Sequence, residues 1–154
     1  MTPEVTLERD GVLLPTPHPP VGTYVMAART GSLLFVSGHG AFDGGGPIHT
    51  GRLGEELSTA EGTGAAKTVM LNLLATVKAE VGDLSRVARF VKVVVFVNST
   101  PDFREQHLVA NGATDLLVRA FGDRIGRPAR SAVGVAALPL GFAVEIEAVV
   151  EVAA

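Results

Sequence analysis

The residues best equipped for chemistry lie near the end of the chain. Arg130 sits in Pro128-Ala129-Arg130-Ser131-Ala132-Val133-Gly134-Val135-Ala136-Ala137-Leu138-Pro139, and Glu145 in Val144-Glu145-Ile146-Glu147-Ala148-Val149. An arginine at the entry to an apolar hairpin and a carboxylate on its return strand form either a functional pair or a plain ion pair, and the residues alone leave both open. Other candidates are weaker. Gly62-Thr63-Gly64-Ala65-Ala66-Lys67-Thr68 has the look of a phosphate loop, but Ala66 stands where glycine must precede the lysine, and no strand leads into it. The four histidines, His18, His39, His49 and His107, show no ligand spacing for a metal. Ser37 lacks the flanking glycines of a nucleophile elbow and reads as a structural serine at a strand end.

These residues must be positioned by the elements around them. Pro15, Pro17, Pro19 and Pro20 predict an extended or looped segment before residue 23. Tyr24 to Arg29 and Leu33 to Ser37 flank Thr30-Gly31-Ser32 and predict a β-hairpin. Seven glycines and Pro47 between Gly38 and Gly54 are loop chemistry that could form a pocket wall. Ser58-Thr59-Ala60-Glu61 is a capping box, and the apolar steps Ala66, Val69, Met70, Leu73, Leu74 and Val77 with Gly82 as a stop predict a helix over 59–81.

Val91 to Val97 is apolar on both alternating faces except at Lys92, as for a strand covered on both sides. Thr100-Pro101 reads as an N-cap and first-turn proline of a second helix ending at Gly122, with Gly112 as a bend. Ser131 to Leu138 and Ala143 to Val152 read as a closing hairpin around Pro139-Leu140-Gly141. The order of elements predicts one α+β domain over residues 1–154, with two helices on one sheet face.

Composition narrows the function. A chain of 154 residues with 47% hydrophobic and 19% charged residues and a mean hydropathy of +0.34 is an ordered domain with apolar surface to spare for other subunits. Its net charge of −3, with scattered basic residues, argues against nucleic acid as a partner. The absence of cysteine removes thiol chemistry and disulfides. The longest apolar run, Val93 to Val97, is too short for a bilayer, so the expectation is a cytoplasmic protein with no membrane partner.

The stretch from Pro128 to Val149 resembles the signature of the Rid family, the reactive intermediate deaminases of the YjgF type, in which Pro-Ala-Arg-x-x-Val-x-Val-x-x-Leu-Pro is followed by Val-Glu-Ile-Glu-Ala. Gly22-Thr23-Tyr24, Leu34-Phe35-Val36-Ser37-Gly38, the alanine-rich helix, Val93 to Val97 and Asn111 extend the resemblance over nearly the whole chain. It departs at His39-Gly40-Ala41-Phe42, where many members carry Gln-Ile-Pro, at Ala132, where some carry cysteine, and in a longer segment before Asn111. The chain therefore looks like a divergent branch.

The resemblance implies a chorismate-mutase-like α+β fold with a mixed sheet, assembled as a homotrimer whose sheets face a central barrel, with ligand clefts between subunits. The implied activity is hydrolysis of 2-imino acids, formed from enamines, to 2-keto acids and ammonia, without a cofactor. Arg130 matches the arginine that grips the substrate carboxylate, a task suited to the guanidinium fork. Glu145 follows it by the family's fifteen positions and matches the residue that orients or activates water. Tyr24 matches a tyrosine closing the cleft, Asn111 a polar helix residue near the ligand, and Gly38 a glycine whose backbone approaches it. The alternatives are a non-catalytic carboxylate-binding module using the same cleft and, with least support, an endoribonuclease or translation inhibitor.

Overall fold

The computed structural model describes residues 1–154. The long helix α2 runs over Thr59–Val81, as its flanking residues dictate. Ser58 Oγ accepts from the Glu61 N–H at 3.2 Å while the Glu61 carboxylate reaches back to the Ser58 N–H, and Gly82, at φ +90°, ends the helix. Val69, Met70, Leu73, Leu74 and Val77 are all buried in the core.

The second long helix, α3, covers Gln106–Gly126 and begins later than its sequence signal suggests. Thr100 does not cap it, because the backbone there is engaged elsewhere: the Thr100 N–H donates to Leu53 O at 3.0 Å, and Phe103 N–H closes a turn onto Thr100 O. Gly122, at φ +78° and ψ 168°, breaks the helix where the sequence puts its end, and a short further turn follows to Gly126. Gly112 bends nothing. It is the point where α2 and α3 approach, and a Cβ there would collide with the Thr63 carbonyl. Gly112→Ala should therefore destabilise the protein by about 2 to 3 kcal/mol, as overpacking does. Urea denaturation should show a lower midpoint with an unchanged slope.

The amino-terminal segment is not wholly extended, for a short helix α1 covers Pro3–Arg9. Pro3 stands in the first turn, where its missing N–H costs nothing, Thr2 caps it, and buried Leu7 anchors it. The Glu4 carboxylate accepts from the Leu84 N–H at 2.9 Å. Residues 12–26, where the other prolines fall, carry neither helix nor strand.

Five strands form one mixed sheet: β1 (Ala27–Thr30), β2 (Leu33–His39), β3 (Val87–Asn98), β4 (Ala129–Val135) and β5 (Val144–Val152), in spatial order β1-β2-β5-β3-β4. The β1–β2 hairpin is present, with Tyr24 outside it. The expected closing hairpin is not. β4 lies parallel to β3, with α3 as the crossover that a parallel pair requires, and β5 pairs antiparallel with both β2 and β3. Leu140 at φ +58° and Gly141 at φ +74° do turn the chain, but they carry it past β3 into the sheet's centre. There the alternating Val144, Ile146, Ala148, Val150 and Val152 gain neighbours on both edges and lie buried under the helices.

Both long helices cover the same sheet face. The opposite face is uncovered: Phe35 is 48% exposed, and a shallow groove of about 460 Å³ runs past Lys92, Val94, Glu147 and Val149. No residue of β4 is buried.

Candidate functional site

Arg130 is held by α3. Its Nη1 donates to Asn111 Oδ1 at 2.8 Å and to Thr114 Oγ1 at 3.1 Å, and its Nη2 donates to His107 O at 3.1 Å. All three acceptors are neutral, so the guanidinium is fixed in place with its charge uncompensated. Its neighbours differ: Arg119 grips Asp10 at 2.6 and 2.7 Å, and Arg127 pairs with Asp123. The cleft beside Arg130, about 580 Å³, is lined by Asn111, Thr114, Asp115 and Pro128 among others.

Glu145 occupies a second, smaller cavity of about 90 Å³, at the end of the sheet where β2 leaves β5. Tyr24 and Gly38 share its wall. The approach is close, since a Cβ on Gly38 would stand 2.6 Å from Glu145 Oε2. Any side chain at position 38 would displace the carboxylate. The Tyr24 hydroxyl accepts from the Val21 N–H at 3.3 Å, leaving its own proton free to donate. Burial, and secondarily the charge of Glu147, raises the Glu145 pKa above the ordinary carboxylate value. A more basic carboxylate is better placed to take a proton from water.

A β-bulge builds this cavity. Val36 pairs with Ala148 but His39 pairs with Ile146, so Ser37 and Gly38 together oppose a single residue of β5. The extra residue reverses the inside–outside alternation and drives His39 inward, where it is 3% exposed. His39 Nδ1 lies 2.6 Å from Ser37 O, an acceptor only, so Nδ1 carries the proton and Nε2 accepts from Thr76 Oγ1 at 2.8 Å. Desolvation lowers its pKa and keeps it neutral.

His39 and Asn72 also line this cavity, and the sequence reading singles out neither as part of it. Ser37 behaves as a structural serine, donating to Val25 O at 2.7 Å. The Gly62–Thr68 segment lies within α2, not in a phosphate loop. Nowhere in the chain do three His, Asp or Glu side chains converge as a metal site would require.

The sequence-derived candidates thus form two clusters, Arg130 with Asn111 and Glu145 with Tyr24 and Gly38. Within one chain they do not meet. Arg130 is in register with Val93, which points under the helices, whereas Glu145 is in register with Phe96, on the other side of the sheet. Two strand spacings and three residues along a strand separate their backbones by about 14 Å. The plain ion-pair reading fails on this geometry. Glu147 is apart from both, lining the groove on the uncovered face.

An α+β chain with a mixed five-stranded sheet, two long helices on one face and a charge-uncompensated arginine at the sheet edge defines a narrow class. A family model described as endoribonuclease L-PSP matches residues 16–152, and the chain belongs to that family, the YjgF/Rid family. It is 48% identical over 145 residues to Protein TCP17 of Trypanosoma cruzi, covering 94% of this chain and 91% of that protein.

Among solved structures, a Shewanella oneidensis protein described as a candidate endoribonuclease superposes with a TM-score of 0.94 at 29% identity, covering 99% of this chain and 100% of that one. RidA from the Antarctic bacterium Psychrobacter is 30% identical but superposes with a TM-score of 0.61, covering 89% and 94%. At equal identity the backbone is thus much nearer the first structure than the second. No helix is long and apolar enough to cross a membrane.

Proposed function

We propose that the protein is a hydrolytic deaminase of reactive 2-imino and enamine carboxylates, working without a cofactor in clefts between the subunits of a homotrimer. The observation that carries this reading is the division of the site: a charge-uncompensated Arg130 and a carboxylate of raised pKa, Glu145, lie on opposite sides of one sheet. Only a cleft between two copies would set them against one substrate. The uncovered sheet face with Phe35 and the unburied strand β4 supply surface for that assembly.

In this scheme Arg130 binds the carboxylate with its free N–H groups, and Asn111 fixes the guanidinium. An enamine first tautomerises to the imine. Glu145 takes a proton from water as the water oxygen bonds to the C=N carbon and passes it to the nitrogen, giving the carbinolamine. It then takes the hydroxyl proton and delivers it to the amine as the C=O bond forms and the C–N bond breaks. One imine and one water give one 2-keto acid and one ammonia. Tyr24 closes the cavity and offers a proton to the ligand. A cysteine-free chain suits the reducing cytoplasm proposed for it.

The test is release of ammonia and keto acid from imines generated in place by an amino-acid oxidase. Keto-acid binding without turnover favours a carboxylate-binding module instead. Light scattering should give three times the chain mass, and a monomer at micromolar concentration would remove the proposed cleft. RNA is disfavoured by the net charge of −3 and by the engagement of Arg119 and Arg127 with Asp10 and Asp123. A salt-dependent RNA-binding assay checks this.

A further inference from the structure

The Glu145 carboxylate rests against backbone. Ser37 and Gly38 are the two residues of the bulge, and a Cβ on Gly38 would stand 2.6 Å from Glu145 Oε2, 2.9 Å from its Cδ and 3.2 Å from its Cγ. The Ser37–Gly38 peptide is therefore part of the seat of the carboxylate. Glycine is required for so close an approach, but it also leaves the peptide free to turn, because glycine restrains its own φ and ψ least. Another group must hold the peptide plane.

That group is His39. Its Nδ1–H donates to Ser37 O at 2.6 Å and so fixes the carbonyl of this peptide. The Ser37 N–H donates to Met26 O at 2.9 Å and its Oγ to Val25 O at 2.7 Å, which ties the residue at every polar group. The imidazole cannot swing away, since it is 3% exposed and its Nε2 accepts from Thr76 Oγ1 at 2.8 Å. The contacts thus run from α2 through the ring to the peptide beside the carboxylate. With both ring nitrogens committed, His39 has none to offer a ligand. Its effect must pass through Ser37 and Gly38.

We propose that His39 is a positioning residue for Glu145: it pins the Ser37–Gly38 peptide, and the pinned peptide holds the carboxylate in line with the water it activates. The proposal rests on the reading of Glu145 as the base. Proton transfer requires hydrogen-bond distance, and a displacement of about 1 Å on such a seat is enough to cost a reaction up to a hundredfold. Thr76 matters less than the pin itself, since a threonine hydroxyl in a helix can turn to the carbonyl one turn back.

Variants of His39 separate the pin from the packing. His39→Leu is close in size and stays buried but lacks the Nδ1 donor, so kcat for imine hydrolysis should fall about tenfold or more while keto-acid binding at Arg130 holds. His39→Asn, whose amide nitrogen stands where Nδ1 stood, should recover most of that loss although it packs less well. Adding His39→Leu to Glu145→Gln should lower the rate no further, because a residue that acts through the carboxylate has no effect once the basicity is gone. Additive losses, full activity in a folded His39→Leu protein, or no recovery in a folded His39→Asn protein would overturn the proposal. Nitrogen-15 NMR of the wild type needs no variant to fold and should place the ring proton on Nδ1. A proton on Nε2 would leave Ser37 O unpinned and would also overturn it. Protonated Nδ1 without ammonia release from any imine would sink the deaminase reading and leave the pin standing.

Discussion

Alanine at Arg130 should lower imine hydrolysis at least tenfold while the fold and assembly persist. The residue is half-buried in an open cleft, and the three acceptors it leaves, Asn111 Oδ1, Thr114 Oγ1 and His107 O, can turn to water there. The structural cost is therefore small. The functional cost is large, since a hydrogen bond between ions or to an ion is worth about 1.5 to 3 kcal/mol, and one such bond already accounts for a tenfold loss. Losing both prongs of a carboxylate grip should bring the loss towards a hundredfold, mostly in kcat/KM. Arg130→Lys should recover little, because an ammonium cannot make the paired contact. Asn111→Ala should fall between wild type and Arg130→Ala, because Asn111 positions the guanidinium. Near-normal turnover in a folded, assembled Arg130→Ala protein would contradict the assignment.

Legibility in the sequence followed the range of the interactions involved. The bounds of α2 could be read because everything that sets them is local: Ser58 and Glu61 cap one end and Gly82 the other. The β4–β5 hairpin was misread because Pro139-Leu140-Gly141 has a turn's chemistry, while which strands pair is decided by distant segments. The start of α3 failed likewise, since Thr100 is held by Leu53 across the fold and cannot serve as a cap. α1 was hidden by a proline-rich composition whose first proline happens to stand at a helix start.

For the site, the motif around Arg130 and Glu145 named residues that the fold gathers into two clusters, but no local pattern shows that the clusters face opposite ways. That depends on strand order. The bulge that turns His39 inward leaves no sequence mark beyond Gly38. Asn72 and Thr76 did carry a signal, being polar residues one turn apart on an otherwise apolar helix face.

Glu145 and Glu147 point to the same side of β5, about 6 to 7 Å apart, and their variants should separate their roles. Glu145→Gln keeps the size and one acceptor oxygen but removes the basicity, so turnover should fall at least tenfold while keto-acid binding at Arg130 holds. It should also stabilise the protein at neutral pH. The folded-state pKa of Glu145 lies above its unfolded value, so the folded protein binds the proton more tightly, and stability is lost as pH rises between the two values. Glutamine cannot ionise and escapes that loss.

Glu147→Gln should change the maximal rate little but shift the pH profile. Removing its negative charge makes ionisation of Glu145 easier and lowers that pKa. The acid limb of kcat/KM, which reports the free enzyme's essential base, should then move to lower pH. A merely structural Glu147 would leave the limb in place. If Glu147→Gln is the more damaging change in assembled protein, or if the limb moves upward, Glu145 is not the base and the proton must be taken elsewhere.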